Sequence, residues 1–124
     1  MKFSHLEGRF AVARLSPTDD VPVWSAHGNF TSVTRTPEEL SIVAGEEQVP
    51  NDVRADRGWH CLALEGPIPF ETVGVAAEFT RVLAERGISV FVVSTFDTDY
   101  VLVKNVDGAI EALRAAGHEV SPAT

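Results

Sequence analysis

The stretch Gly87–Val103, GISVFVVSTFDTDYVLV, limits the possible folds more than any other part of the chain. Ile88 to Thr95 and Tyr100 to Val103 are rich in β-branched and aromatic residues, and Phe96, Asp97, Thr98 and Asp99 make a short polar break between them. This pattern predicts two antiparallel strands joined by a tight turn. A hairpin so apolar needs helices or another sheet over at least one face. The remaining sequence has to supply that cover.

The flanks do so. From Phe70 to Arg86 the apolar period becomes helical, with Ala76, Phe79, Val82 and Leu83 on one face and Glu78, Arg81 and Glu85 pointing away. Gly87 supplies the C-terminal stop. After the hairpin, Asn105 is an N-cap, Val106, Ala109, Ile110, Leu113 and Ala116 form an apolar stripe, and Gly117 ends the helix. Glu119 and Val120 add a short last strand. Ahead of the first helix, Gly58 to Glu65 alternates, Trp59, Cys61 and Ala63 opposing His60, Leu62 and Leu64, until Gly66, Pro67 and Pro69 end it. The order β-α-β-β-α-β is that of a ferredoxin-like split βαβ sheet with both helices on one face.

The first half repeats this order in reduced form. Arg9 to Leu15 reads as a strand, Pro22 to His27 as a short helix at most, and Phe30 to Thr36 with Leu40 to Ala44 as a second hairpin around Pro37, Glu38 and Glu39. Setting Phe30–Val43 on Val90–Val103 without gaps pairs Val33 with Val93, Thr34 with Ser94, Glu39 with Asp99, Ile42 with Leu102 and Val43 with Val103. A duplicated unit follows. Glu46 to Arg57 is a polar connection holding at most one helical turn, so the first half has no clear last strand and the boundary falls between residues 1–57 and 58–124. The expected fold is α+β: two tandem ferredoxin-like βαββαβ units, the first with shortened helices. With too little helix to bury its own strands, the first unit should pack beside the second or dimerise.

Charge and composition exclude several functions. Ten Lys and Arg stand against eighteen Asp and Glu, a formal net charge of -8, and no basic run is present. Such a chain repels a phosphate backbone or an anionic membrane surface, so no nucleic acid and no membrane is expected as a partner. No segment approaches the roughly 18 apolar residues of a membrane span, and Met1 and Lys2 lead straight to His5, Glu7 and Arg9, so a cytoplasmic location is expected. The single cysteine, Cys61, lies in an apolar alternating run and reads as a small buried hydrophobe. His5, His27, His60 and His118 lack metal-ligand spacing, and no glycine-rich phosphate loop or G-x-S-x-G elbow occurs. Asp97 and Asp99 offer too few oxygens for a calcium loop. The expectation is a protein that is not an enzyme, with no metal, catalytic residue or cofactor.

GRFAVARL, FTSVTRTPEELSIV, RGWHCLALEGP, GISVFVVSTFDTDYVLVK and LRAAGHEV together resemble small bacterial proteins with tandem ACT domains. They are similar also to the ACT repeats of the eukaryotic cytosolic arginine sensors and of aspartokinases; STFDTDYVLV is the most specific part. The resemblance implies a regulatory or sensor protein that binds a small ligand, usually an amino acid, at an interface between ACT units. Carried over by position, it implies a ligand held by the helix-opening loop, Phe70, Glu71, Thr72, Val73 and Gly74, and by the hairpin turn, Thr95, Phe96, Thr98 and Asp99. Thr72 stands where the arginine sensors align a carboxylate, which argues against arginine. Chemically, backbone N–H groups at the start of the Phe70 helix suit an α-carboxylate, Gly74 leaving room, and Asp99 suits an α-ammonium or a cationic side chain. The same residues also have a plainer reading, Thr98 and Asp99 as turn caps and Glu71 as a complement to the helix dipole. A homo-oligomer is expected, with a protein partner as a further possibility. The alternative function is a ligand-free protein-interaction or structural module.

Overall fold

The apolar hairpin forms as its composition demands, and two helices cover one of its faces. The computed structural model describes residues 1–123, and they divide into two units. The larger consists of Met1–Glu7 together with the chain from His60 onward; the smaller is Gly8–Trp59.

In the larger unit, strand β1 is Lys2–His5, β6 is Phe91–Ser94, β7 is Asp99–Val103 and β8 is Glu119–Ser121. Strand β5, Ala55–Leu64, contributes its residues 60–64, and the helices are α1, Val75–Ala84, and α2, Val106–Ala115. The strands lie in the order β6-β7-β5-β1-β8, with only the β1–β8 pair parallel. Without β1 this would be the ferredoxin-like order expected from β-α-β-β-α-β. The core joins Leu62 and Leu64 of β5, Val101 and Val103 of β7 and Phe3 of β1 to Phe79, Val82 and Leu83 of α1 and Ala109, Ala112 and Leu113 of α2.

Capping matches the sequence at three of the four helix ends. Asn105 Oδ1 accepts the Gly108 N–H at 3.1 Å. At the end of α1, Ile88 N–H reaches the Leu83 carbonyl and Gly87 N–H the Ala84 carbonyl, with Gly87 at φ +69°. That is a Schellman closure, and its left-handed residue is the glycine that adopts it without strain. Gly117 at φ +93° closes α2 in the same way, His118 N–H bonding to Leu113. The start of α1 differs: it begins at Val75 rather than Phe70, because Thr72 N–H turns back to the Pro69 carbonyl and Gly74 sits at φ +82°. Ala76, expected on the buried face, is exposed, and Val75 beside it is half-buried. On the outer face of α1, Glu78 accepts a hydrogen bond from Arg81 and lies 3.1 Å from His118 Nε2; Arg81 first, then His118, holds its carboxyl below the usual range.

In the smaller unit, β2 is Phe10–Leu15, β3 is Ser32–Arg35 and β4 is Leu40–Gly45, with 3-10 turns at Val23–Ala26 and Glu46–Gln48 in place of the two helices. Residues 55–59 of β5 pair with β2, giving the antiparallel order β3-β4-β2-β5. The first unit therefore has the shortened helices that its sequence implied. It also has a last strand that the sequence pattern hides, since Ala55–Arg57 read as part of the polar connection yet begin β5. Arg57 donates to the Pro50 and Glu46 carbonyls, and the Gly58 N–H bonds to Glu46 Oε1 at 2.8 Å. These bonds fold the polar connection onto the strand, and Gly58 at φ +86° takes up the register shift in the β2–β5 ladder.

Two sequence expectations need correcting. The division does not put residues 1–57 in one unit: the β1 ladder to β5 and β8, and the burial of Phe3, assign Met1–Glu7 to the larger unit. The other limit falls after Trp59 rather than after Arg57. The repeat also has a different register. Thr36 N–H bonds to the Glu39 carbonyl as Thr95 N–H bonds to that of Thr98, and Arg35 faces Leu40 as Ser94 faces Asp99. The equivalent of Asp99 is thus Leu40 and not Glu39. Because side chains alternate along a strand, sliding two β-branched runs by one residue costs little similarity but exchanges their faces.

Candidate functional site

Two loops of the larger unit are fastened to each other at one end of its sheet. Residues 65–74 link β5 to α1, and 95–98 form the β6–β7 turn. The Ile68 N–H donates to the Asp97 carbonyl at 2.7 Å, and the Thr98 hydroxyl donates to the Leu64 carbonyl at 2.6 Å. Gly66 lies so close to the turn that a Cβ there would stand 2.9 Å from the Asp97 carbonyl oxygen and 3.1 Å from Thr98 Cβ. Across the gap, the Phe70 and Phe96 rings meet edge to face with centroids 4.8 Å apart.

The turn holds itself in shape. The Thr95 N–H and hydroxyl both donate to the Thr98 carbonyl, at 2.8 and 3.0 Å, and the Thr98 N–H donates to Thr95 Oγ1 at 3.3 Å. Asp99 follows directly, and its Oδ1 accepts the Ser94 hydroxyl at 2.6 Å. One carboxylate oxygen is thereby oriented while the other keeps its capacity to accept.

The start of α1 closes the third side. No side chain caps it, and the N–H groups of Val75, Ala76 and Ala77 precede the first bond within the helix, donated by Glu78 to the Gly74 carbonyl. Unpaired amides at the positive end of a ten-residue helix favour an anionic group. Gly74 contributes through its backbone alone: a Cβ there would meet nothing within 4 Å, and what requires glycine is φ +82°.

These elements enclose a cleft of about 410 Å³. Phe70, Thr72, Gly74, Thr95, Phe96, Thr98 and Asp99 line it, which brings together seven of the nine residues named from the sequence. Glu71 and Val73 are exposed and lie outside the lining. Sequence reasoning missed Ser94 and the first turn of α1. The length of the hairpin turn, which sets Ser94 opposite Asp99, was the available signal for the former; for the latter there was Gly74 followed by an uninterrupted apolar-small run.

The remaining chemical candidates lead elsewhere. Cys61 is fully buried in β5, and burial pushes its thiol up to about 12. A thiol held neutral is a poor nucleophile. At pH 8, iodoacetamide should therefore modify it no faster than the protein opens, and adding denaturant should make it fully reactive; prompt modification of the native protein would contradict the burial. Burial favours the neutral thiol, so this contribution to stability is complete below the ordinary value near 9 and is lost as pH rises toward about 12. His5 and His60 pack edge to face, centroids 5.9 Å apart. Among the described residues no group of three or more His, Cys, Asp and Glu is placed to hold a metal ion, and no helix is long and apolar enough to cross a membrane.

The family model of the ACT domain matches residues 54–115, the segment from the start of β5 to the end of α2 that carries the whole cleft. The human protein CASTOR3P is 30% identical over 113 aligned residues, which take in 77% of this chain and 69% of that one. The chain belongs to the ACT-domain family. Protein Atu0741 from Agobacterium tumefaciens has a crystal structure that matches at a TM-score of 0.91 with 41% identity, over 98% of this chain and 92% of that one. The aspartate kinase of Clostridium acetobutylicum matches in fold alone, with a TM-score of 0.64 at 13% identity, over 92% of this chain but only 34% of that enzyme.

ACT domains as a class are regulatory modules that bind amino acids, and membership brings that general role to this chain. A second family model, described as an N-terminal domain, matches residues 8–52, inside the smaller unit. There the same four-residue turn leads into Leu40, fully buried, where the ACT unit has Asp99. Of the two turns, only that of the ACT unit ends on a carboxylate.

Proposed function

We propose that this protein is a non-enzymatic, cytoplasmic regulatory sensor that binds an amino acid or a similar small ligand in the cleft of its ACT unit. The observation that carries the reading is the convergence of Asp99 and the uncapped N-terminus of α1 on one cleft of about 410 Å³. The ligand's α-carboxylate takes the N–H groups of Val75, Ala76 and Ala77, and its α-ammonium pairs with Asp99, whose carboxylate Ser94 orients. Thr95 and Thr98 act through their hydroxyls, which bond to the backbone and keep the turn and the 65–74 loop in register. Thr72 and Phe70 complete the contact from the loop side.

The cleft's rim carries Phe70 and Phe96, with Val73 beside it, all strongly exposed. An ACT unit of a second copy would cover this apolar rim, making the ligand part of a homo-oligomer interface. Binding then shifts the assembly equilibrium by as much as the ligand prefers the closed arrangement, and a protein partner reads the result. The same exposed rim favours, as a second reading, a ligand-free protein-interaction module.

A thermal-shift panel of the standard amino acids, followed by calorimetry, separates the two. At about a hundred times its Kd a ligand adds roughly 2.7 kcal/mol to stability. The expected result is a hit with the wild type that Asp99→Ala abolishes, the unliganded variant unfolding at nearly the same temperature. A full panel without a shift would move the assignment to the interaction module.

A further inference from the structure

We propose that the ligand is a neutral amino acid with a bulky apolar side chain, and that Phe70 and Phe96 select it; this rests on the amino-acid reading of the cleft given above. The argument is one of charge and of surface. Among the described residues, Asp99 is the only ionisable side chain that lines the cleft. Once it pairs with the α-ammonium, no charge is left for the side chain of the ligand. Glu71, the other acid of the opening loop, is not in the lining. A lysine or arginine ligand would have to leave one of its two cations without a partner, and bringing an unpaired charge into a partly desolvated site is costly. An aspartate or glutamate ligand would meet no cationic side chain in the cleft and would approach a protein of formal net charge -8.

The surface left for the ligand's side chain is apolar. Ile68 and Val75 line the cleft beside the Phe70–Phe96 pair. Those two aromatic residues are 72% and 79% exposed, so their rings face water until something covers them. An aliphatic or aromatic side chain laid on them removes apolar area on both sides from water, which is the favourable term available here. A small polar side chain would bury less apolar area against the rings and so gain less.

Titration calorimetry of the full chain with L-leucine, L-phenylalanine, L-glutamine, L-lysine and L-glutamate tests this, with Phe70→Ala and Phe96→Ala as variants. Both positions are exposed, so neither substitution removes core packing. Leucine or phenylalanine should bind at least tenfold more tightly than the other three. Phe96→Ala should weaken the favoured ligand about tenfold, with the unfolding temperature of the unliganded variant unchanged. Tightest binding of lysine, glutamate or glutamine would overturn the inference and leave the sensor reading standing. So would an affinity for leucine or phenylalanine that neither alanine variant alters. Absence of binding by all five and by the remaining standard amino acids would sink the sensor reading and this inference together.

Discussion

Replacing Phe79 by alanine should lower the unfolding free energy by about 3–5 kcal/mol, the usual cost of emptying a buried phenylalanine site. Phe79 has no exposed surface and packs edge to face against Phe3, centroids 6.1 Å apart with planes at 89°. It sits in the cluster that joins α1 to β1, β5 and β7, with Leu62, Leu64 and Leu113 around it. A single such loss is a large share of the roughly 5–15 kcal/mol by which domains are stable. Urea unfolding followed by far-UV circular dichroism should give a midpoint well below wild type, and Phe79→Leu should recover part of the difference. A loss under about 1 kcal/mol would mean that α1 is not docked on the sheet as described.

Gly66→Ala should cost about 2–4 kcal/mol and abolish ligand binding as well. Its new methyl group would stand 2.9 Å from a backbone carbonyl oxygen, and backbone cannot swing aside as a flexible side chain can. Overpacking of this kind costs about 1–3 kcal/mol. Relief requires the 65–74 loop and the 95–98 turn to part, which weakens the Ile68–Asp97 and Thr98–Leu64 hydrogen bonds, each worth about 1 kcal/mol. Separation of the same loops moves Asp99 away from the first turn of α1. Thermal unfolding and calorimetry on one preparation check both effects. A variant as stable as wild type would show that the loops are not tied at Gly66, and one that is destabilised but binds normally would uncouple the tie from the cleft.

How legible each feature was in the sequence follows from how local its cause is. The helical period of Phe79, Val82 and Leu83, the Asn105 cap and the Gly87 and Gly117 stops all depend on neighbours within a turn or two, and the helices end as expected. The sequence places the start of α1 too early because Phe70–Val73 carry a helical pattern, yet Gly74 and the Thr72–Pro69 bond break the backbone before the pattern can be used. Strand β1 left no usable signal. Of its four residues only Phe3 is apolar, and its place is set by pairing with Leu64 and Val120, more than fifty residues away. The repeat was visible but misaligned by one residue, because β-branched runs match nearly as well one step out of register.

The candidate site divides in the same manner. The resemblance named Phe70, Thr72, Gly74, Thr95, Phe96, Thr98 and Asp99 by position, and residue chemistry added a role for Gly74 and Asp99. By itself the sequence determined the ferredoxin-like order of elements, the ends of both helices, the burial of Cys61 and the residue types available to a ligand. Only the tertiary structure decided that β1 enters the ACT sheet, that Asp99 corresponds to Leu40 and that Ser94 orients the carboxylate. It alone also decided that Glu71 and Val73 fall outside the cleft while Val75–Ala77 open onto it. The physical reason is range: period, caps and turns are set by bonds between near neighbours, whereas a cleft is set by which distant backbones approach within hydrogen-bonding distance, and one residue of register changes which side chains face it.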